Sequence, residues 1–334
     1  MNIAIVGATG LVGRTFLRII EERRIAYDNL YLYASARSAG TTIAVNGVDH
    51  PVLETTAANI RDKAIDVALF SAGKHVSKTL APVFVETGAL VIDNSSAFRM
   101  EADVPLVVPE VNGVDINRHH GIIANPNCST IQSVLPLSVV DFYYHATRVD
   151  YTTYQAVSGS GQKGLADLEQ TAAGGAPVHY PHPIHNNAIP HIDDFQADGF
   201  TYEEEKMICE TQKILHREEL EVSATCVRVP VAHAHSVSMV VTTTERVNLD
   251  HLRSYLRDTD GIVVLDDPHN NNNIYPTPRQ AAGTDSVYVG RLRRDRFDEH
   301  KIHLFCTADN IRKGAALNAI QILETWRKRG GKDE

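Results

Sequence analysis

Apolar positions in the first 125 residues come in two alternating patterns. Short continuous runs at 2–6, 29–34, 65–71, 89–93, 106–108 and 122–124 are bounded by turn residues. Such runs predict strands buried on both faces. Between them, 11–23 carries Leu11, Val12, Phe16, Leu17, Ile19 and Ile20 in a broad helical stripe, and 75–87 reads as a helix closed by Gly88. Strand and helix in alternation predict a doubly wound parallel sheet covered on both faces, an α/β domain of Rossmann type.

The pattern changes after Thr147. Longer β-branched runs at 148–157, 221–231, 236–245, 286–295 and 301–308 predict a mostly antiparallel sheet covered by helices, an α+β domain. Helices are expected at 129–142, around 165–170 and at 202–215. The Pro- and His-rich stretch 174–190 and the polar run 270–273 read as loops. A last amphipathic segment, 311–326, is expected to be helical. The domain expectation is 1–127 for nucleotide binding and 128–310 for catalysis and oligomerisation, with a C-terminal helix within 311–330 returning to the first.

Composition narrows the picture. Of 334 residues, 32 are Lys or Arg and 41 are Asp or Glu, a net charge of −9, which argues against a nucleic-acid footprint. The hydrophobic fraction of 43% excludes a disordered chain. No apolar run approaches the roughly 20 residues of a membrane span. The N-terminus lacks the basic and apolar regions of an export signal, so a cytoplasmic location is expected. The four cysteines, Cys128, Cys209, Cys226 and Cys306, form no C-x-x-C pair, which argues against a zinc ribbon or dithiol motif. His179, His182 and His185 are interrupted by Pro181 and Pro183, and no metal is predicted.

Two segments carry chemistry. Gly7-Ala8-Thr9-Gly10-Leu11-Val12-Gly13 lies between a predicted strand and a predicted helix. Glycine there lets the backbone approach a pyrophosphate while the first helical N–H groups meet the anion. The second strand leads into Ser35-Ala36-Arg37-Ser38 rather than an acidic residue, which suits a ribose 2′-phosphate, so NADP is the expected cofactor. The other segment is Asn125-Pro126-Asn127-Cys128-Ser129-Thr130. It places Cys128 at a helix start, where the partial positive charge favours the thiolate. A thiolate together with a nicotinamide implies aldehyde oxidation through a thioester.

With these motifs stand Asp93-Asn94-Ser95-Ser96-Ala97-Phe98-Arg99, Gln155-Ala156-Val157-Ser158-Gly159-Ser160-Gly161, Cys226-Val227-Arg228-Val229-Pro230-Val231 leading to His235-Ser236, and Asp309-Asn310-Ile311-Arg312-Lys313-Gly314. Together, over essentially the whole length, the chain resembles the aspartate-β-semialdehyde dehydrogenase family. The resemblance implies NADP-dependent interconversion of aspartyl phosphate with aspartate semialdehyde and phosphate, serving lysine (diaminopimelate), threonine and methionine synthesis. It also implies a cytoplasmic homodimer or homotetramer without nucleic-acid or membrane partners.

Residue by residue, it implies Cys128 as nucleophile and His235 as general base. Arg228 would hold the substrate carboxylate and Gln155 would position the acyl group. Glu210 would meet the amino group, and Lys213, Arg99 and Asn127 would meet phosphate. Cofactor contacts are implied at Gly7, Thr9, Gly10, Leu11, Val12, Ser35, Arg37, Ser38, Ser71, Ser158, Gly159 and Asn310. The chain departs from the family's usual Gly-His-Ser-Glu by having Ala234-His235-Ser236-Val237. N-acetyl-glutamyl-phosphate reductase shares the P-N-C segment, but residues 93–99 and the Glu210/Lys213 pair match the aspartate family better. A non-catalytic paralogue is disfavoured by the presence of Cys128, Gln155, Arg228 and His235.

Overall fold

The computed structural model of the chain describes residues 1–267 and 274–331, so the polar run 270–273 lies outside the described residues. The chain forms two units, Met1–Pro126 with Ala315–Glu334, and Asn127–Gly314.

The first unit is a seven-stranded sheet. Its strands are β1 (Asn2–Val6), β2 (Asn29–Ala34), β3 (Thr42–Val45), β4 (Val48–Glu54), β5 (Val67–Phe70), β6 (Leu90–Asp93) and β7 (Ile122–Ala124), in the order β3-β4-β2-β1-β5-β6-β7. Every neighbouring pair is parallel except the β3–β4 hairpin. Helices α1 (Leu11–Glu22), α2 (Ala57–Arg61), α3 (Lys74–Glu86) and α4 (Pro109–Asn112) complete the connections. Alternation along β1 sends Ile3 and Ile5 into one core with Phe16 and Ile20 of α1, and Ala4 and Val6 into another with Ala81 and Phe84 of α3. Strand order reverses between β1 and β5, the place where such sheets bind ligands.

Two differences from the sequence reading stand out here. The β3–β4 hairpin turns on Asn46 and Gly47, both at positive φ (49° and 76°), a two-residue turn signal left unread in the sequence. The strand expected at 106–108 is reduced to one bridge, Leu106 with Ala124, because Pro109 starts α4 immediately afterwards.

The second unit is a six-stranded mixed sheet. Its strands are β8 (Ala146–Gln155), β9 (Glu221–Arg228), β10 (His235–Thr243), β11 (Ile262–Val264), β12 (Val287–Arg294) and β13 (Lys301–Ala308), in the order β11-β12-β13-β10-β8-β9. The three central pairings are antiparallel, and the two outer ones, β11–β12 and β8–β9, are parallel. Helices α5 (Cys128–Tyr144), α6 (Gln162–Ala172), α7 (Tyr202–Leu215), α8 (Leu249–Arg257) and α9 (Pro278–Ala281) accompany it. α5 is apolar nearly all round and correspondingly buried, with Ile131, Val134, Leu135 and Leu137 at zero exposure. β9 stops at Arg228, short of the expected 231, since Pro230 has no N–H to continue a ladder.

The C-terminal segment is not one helix. A wide turn at Arg312–Ala316 precedes α10 (Leu317–Lys328). The Gly314 N–H reaches back to the Asp309 carbonyl, five residues earlier, rather than the four of an α-helix. α10 packs in the first unit, where Asn318 donates to the carbonyls of Val107 and of the Asn125 side chain.

Candidate active site

In the first unit the glycine string is built as an anion cradle. Gly7 turns at φ +86°, and a Cβ there would lie 2.3 Å from the Ser71 carbonyl oxygen. A Cβ on Gly13 would lie 2.1 Å from the Gly7 carbonyl, so α1 approaches the loop too closely for any side chain. Gly10 is the N-cap of α1 and no side chain caps the helix. Thr9, Leu11 and Val12, all partly buried, surround that helix start. These features suit a pyrophosphate at the N-terminus. Ser35, Arg37 and Ser38 follow β2 in a turn closed by the Ser38 N–H on the Ser35 carbonyl. Arg37 is exposed and makes no hydrogen bond or ion pair among the described residues. Arg99, also in this unit, is buried with its Nε on the Asn125 carbonyl (3.0 Å) and Nη2 on that of Asn94 (2.7 Å).

The second unit gathers the rest. Cys128 is the first residue of α5, and the Asn127 side-chain oxygen caps the helix on the N–H groups of Ser129 (2.8 Å) and Thr130 (3.3 Å). Gly314 is pressed against Cys128, since a Cβ there would stand 2.9 Å from Cys128 Cβ. Helix α7 grips Asn127 with two carboxylates, two turns apart on one face. Glu210 accepts the Asn127 backbone N–H (2.6 Å), and Glu203 accepts its side-chain Nδ2 (2.8 Å). Glu203 also accepts Gln155 Nε2 (3.0 Å) and pairs with Lys206 (3.1 Å). Burial would raise the Glu203 pKa, but the Lys206 charge and the Asn127 and Gln155 hydrogen bonds hold it down to about 2. Lys213 lies one turn beyond Glu210 and is half-buried.

Strand alternation explains how Gln155, Arg228 and His235 meet. Gln155 ends β8 directly opposite Arg228, which ends β9, and His235 opens β10 beside them. All three are buried, so they share the inner face at one end of the sheet. The backbone of one residue, Ala156, joins two of them. The Ala156 N–H donates to His235 Nδ1 (2.9 Å), and the Ala156 carbonyl accepts Arg228 Nη1 (2.7 Å). With Nδ1 accepting, a neutral His235 ring carries its proton on Nε2, which has no partner. Burial first, then the Arg228 charge, push the His235 pKa down to about 3, so the ring is neutral at physiological pH. A general base would need a free lone pair on Nε2. The hydrogen bonding presents a donor at Nε2.

Gly159 is needed beside this pair, because a Cβ would stand 2.9 Å from Arg228 Nη1 and 3.2 Å from His235 Nε2. Ala234 sits at φ +69° with no exposure. Its N–H donates to Asn310 Oδ1 (3.0 Å), and Asn310 Nδ2 donates to Ser158 Oγ (3.0 Å).

Glu203 and Gly314 were missed by the sequence reading. Glu203 had a signal: with Met207 and Glu210 it forms an i, i+4, i+7 stripe, and a carboxylate on a core-facing stripe is unusual. Gly314 had none, because it depends on the wide turn. Among the described residues, no group of three or more His, Cys, Asp or Glu side chains is placed to hold a metal ion. No helix among them is long and apolar enough to cross a membrane.

Comparison with known proteins follows this geometry. A family model described as "Semialdehyde dehydrogenase, NAD binding domain" matches residues 2–119, and one described as "Semialdehyde dehydrogenase, dimerisation domain" matches 139–313. An aspartate-semialdehyde dehydrogenase of Aquifex aeolicus is 50% identical over 98% of both chains. Aspartate semialdehyde dehydrogenase II of Vibrio cholerae has a crystal structure that superposes with a TM-score of 0.93 at 42% identity, covering 98% of this chain and 99% of that one. The Vibrio enzyme complexed with ASA gives the same TM-score at 40% identity, covering 98% of both chains.

Proposed function

We propose, from the premise that the chain belongs to the aspartate-semialdehyde dehydrogenase family, that it converts L-aspartate 4-semialdehyde, phosphate and NADP reversibly to 4-aspartyl phosphate and NADPH. The observation that carries the reading is the hydrogen-bonded chain in the second unit. It runs from Asn127 at the Cys128 helix start, through Glu203, to Gln155, and the backbone of the next residue, Ala156, bonds His235 through its N–H and Arg228 through its carbonyl. The Cys128 thiolate, favoured by the α5 N-terminus, adds to the aldehyde carbon. His235 Nε2–H donates to the oxygen as it gains negative charge, in the manner of a neutral imidazole in an oxyanion site. A nicotinamide cofactor, whose pyrophosphate the Gly7–Gly13 cradle would hold, would supply the hydride acceptor needed to oxidise the adduct to a thioester. Phosphate then attacks the thioester carbonyl and returns the thiolate to Cys128. Arg228 offers the substrate carboxylate a planar, charged donor. Glu210 would take the amino group, and Lys213 and Arg99 the phosphate.

The NADP preference rests on Arg37 with Ser35 and Ser38, standing where an NAD site carries an acid. A cytoplasmic homodimer or homotetramer working in lysine, threonine and methionine synthesis completes the reading. The test is formation of NADPH with aspartate semialdehyde and phosphate. Turnover only with the N-acetyl-glutamate analogue would transfer the chain to the related reductase. Nucleotide binding without turnover of either substrate would mark a non-catalytic paralogue.

A further inference from the structure

We propose that Glu203 is a positioning residue for acyl transfer: its carboxylate fixes the direction in which the Gln155 amide faces, so that Gln155 offers an N–H and not a carbonyl to the acyl oxygen. This rests on the reading of the site just given.

The oxygen and nitrogen ends of an amide are nearly the same size, so packing alone does not choose between them. Hydrogen-bond partners do. Glu203 governs two such choices and accepts three hydrogen bonds. Its Oε1 accepts both Asn127 Nδ2 (2.8 Å) and Gln155 Nε2 (3.0 Å). Its Oε2 accepts Lys206 Nζ (3.1 Å), which is shared with Asp193 (2.7 Å). An ionised carboxylate can only accept.

The two amides depend on it unequally. Asn127 is fixed twice, because its oxygen also faces the donor-only N–H groups of Ser129 and Thr130. Gln155 has no such second lock. Its other partner is the Thr153 hydroxyl (3.0 Å), which can donate or accept and so tolerates either end of the amide. Only Glu203 forbids the flip, since reversal would set the Gln155 oxygen against a carboxylate oxygen. In the observed direction, one Gln155 N–H is held by Glu203 and the second remains available for an acyl oxygen.

Glu203→Gln removes the discrimination, because a neutral amide at 203 can donate to the Gln155 oxygen as readily as accept from its nitrogen. The experiment is a double-mutant cycle on steady-state NADPH formation from aspartate semialdehyde and phosphate. It uses wild type, Glu203→Gln, Gln155→Ala and the double variant, with circular dichroism to check the fold. The expected result is a kcat lowered about 10- to 100-fold by Glu203→Gln, as for loss of an orienting partner, with KM for the semialdehyde within about threefold. In the Gln155→Ala background the same substitution is expected to cost nothing further, because the group it orients is gone. Equal losses in both backgrounds would show that Glu203 acts independently of Gln155 and would overturn the proposal, as would an unchanged kcat. Should Glu203→Gln fail to fold, the same cycle with Glu203→Ala, which also removes the carboxylate that opposes the flip, carries the test on the same criteria. A wild-type chain that does not turn over the semialdehyde overturns the parent reading as well, and shows this before any variant is made. Wild-type turnover with additive losses overturns only the proposal.

Discussion

The two units build their sites from different materials. In the first, the candidate nucleotide cradle is made largely of main chain: a turn at Gly7, an uncapped start of α1, and glycines where a Cβ would collide with carbonyl oxygens at 2.1 and 2.3 Å. In the second, the candidate chemistry is made of long side chains brought from four elements, α5, α7, β8 and β9, to the start of β10. A main-chain site is specified by what is absent from a short stretch of sequence. A side-chain site is specified by strand register and helix face between Asn127 and His235. The first therefore tolerates little change at its glycines, and the second is open to tuning at many positions.

This contrast is exposed to three substitutions, each acting on one side of it. The largest effect is expected for Cys128→Ala, which removes a group with no substitute. Turnover should fall by at least about 10⁴-fold, as for other nucleophile deletions, while nucleotide affinity measured by calorimetry stays unchanged. A variant retaining most of its rate would remove the thioester from the reading. Next is Arg37→Ala, the charged side chain asked to read the cofactor in the first unit. Loss of a charge-assisted contact should weaken NADP binding about tenfold and leave NAD within about twofold. Parallel losses for both nucleotides would mean that Arg37 does not read the 2′-phosphate. The smallest is Ala234→Gly. A non-glycine residue at φ +69° is strained, and glycine relieves that at an entropic cost, so denaturant unfolding should show a gain of about 1 kcal/mol or less. A loss of stability would indicate that the Ala234 methyl packs well enough to offset its backbone strain.

Much of the first unit was readable because its signals are local. The alternation of apolar runs with a helical stripe gave β1, β2, β7 and α1 nearly to the residue, and the glycine string sat between strand and helix as expected. The β3–β4 hairpin was missed because its strands are polar on their open face, although Asn46-Gly47 marked the turn. In the second unit, the helix at Tyr202–Leu215 and the strand at Lys301–Ala308 were read with their observed bounds. The parallel outer pairings were not, since nothing in a strand's own pattern tells on which edge or in which direction it will pair. The site residues at motif positions were legible as types. Their partners were not. That Glu210 holds the Asn127 N–H, or that Glu203 joins Asn127 to Gln155, depends on where α7 lies against α5. The tautomer of His235 depends on one backbone N–H from a neighbouring strand end.

The backbone of Ala156 limits how this centre can change. A cation and an imidazole that draw on the two peptide groups either side of one α-carbon are linked through that residue's φ and ψ, and no exchange of its side chain that keeps the N–H unlinks them. Shifting the backbone at 156 to favour a differently shaped acid would disturb the ring's contact as well. Substrate range and proton placement should therefore drift together among variants of this chain, and a change that improves one alone has to come from elsewhere, such as the length of a neighbouring side chain.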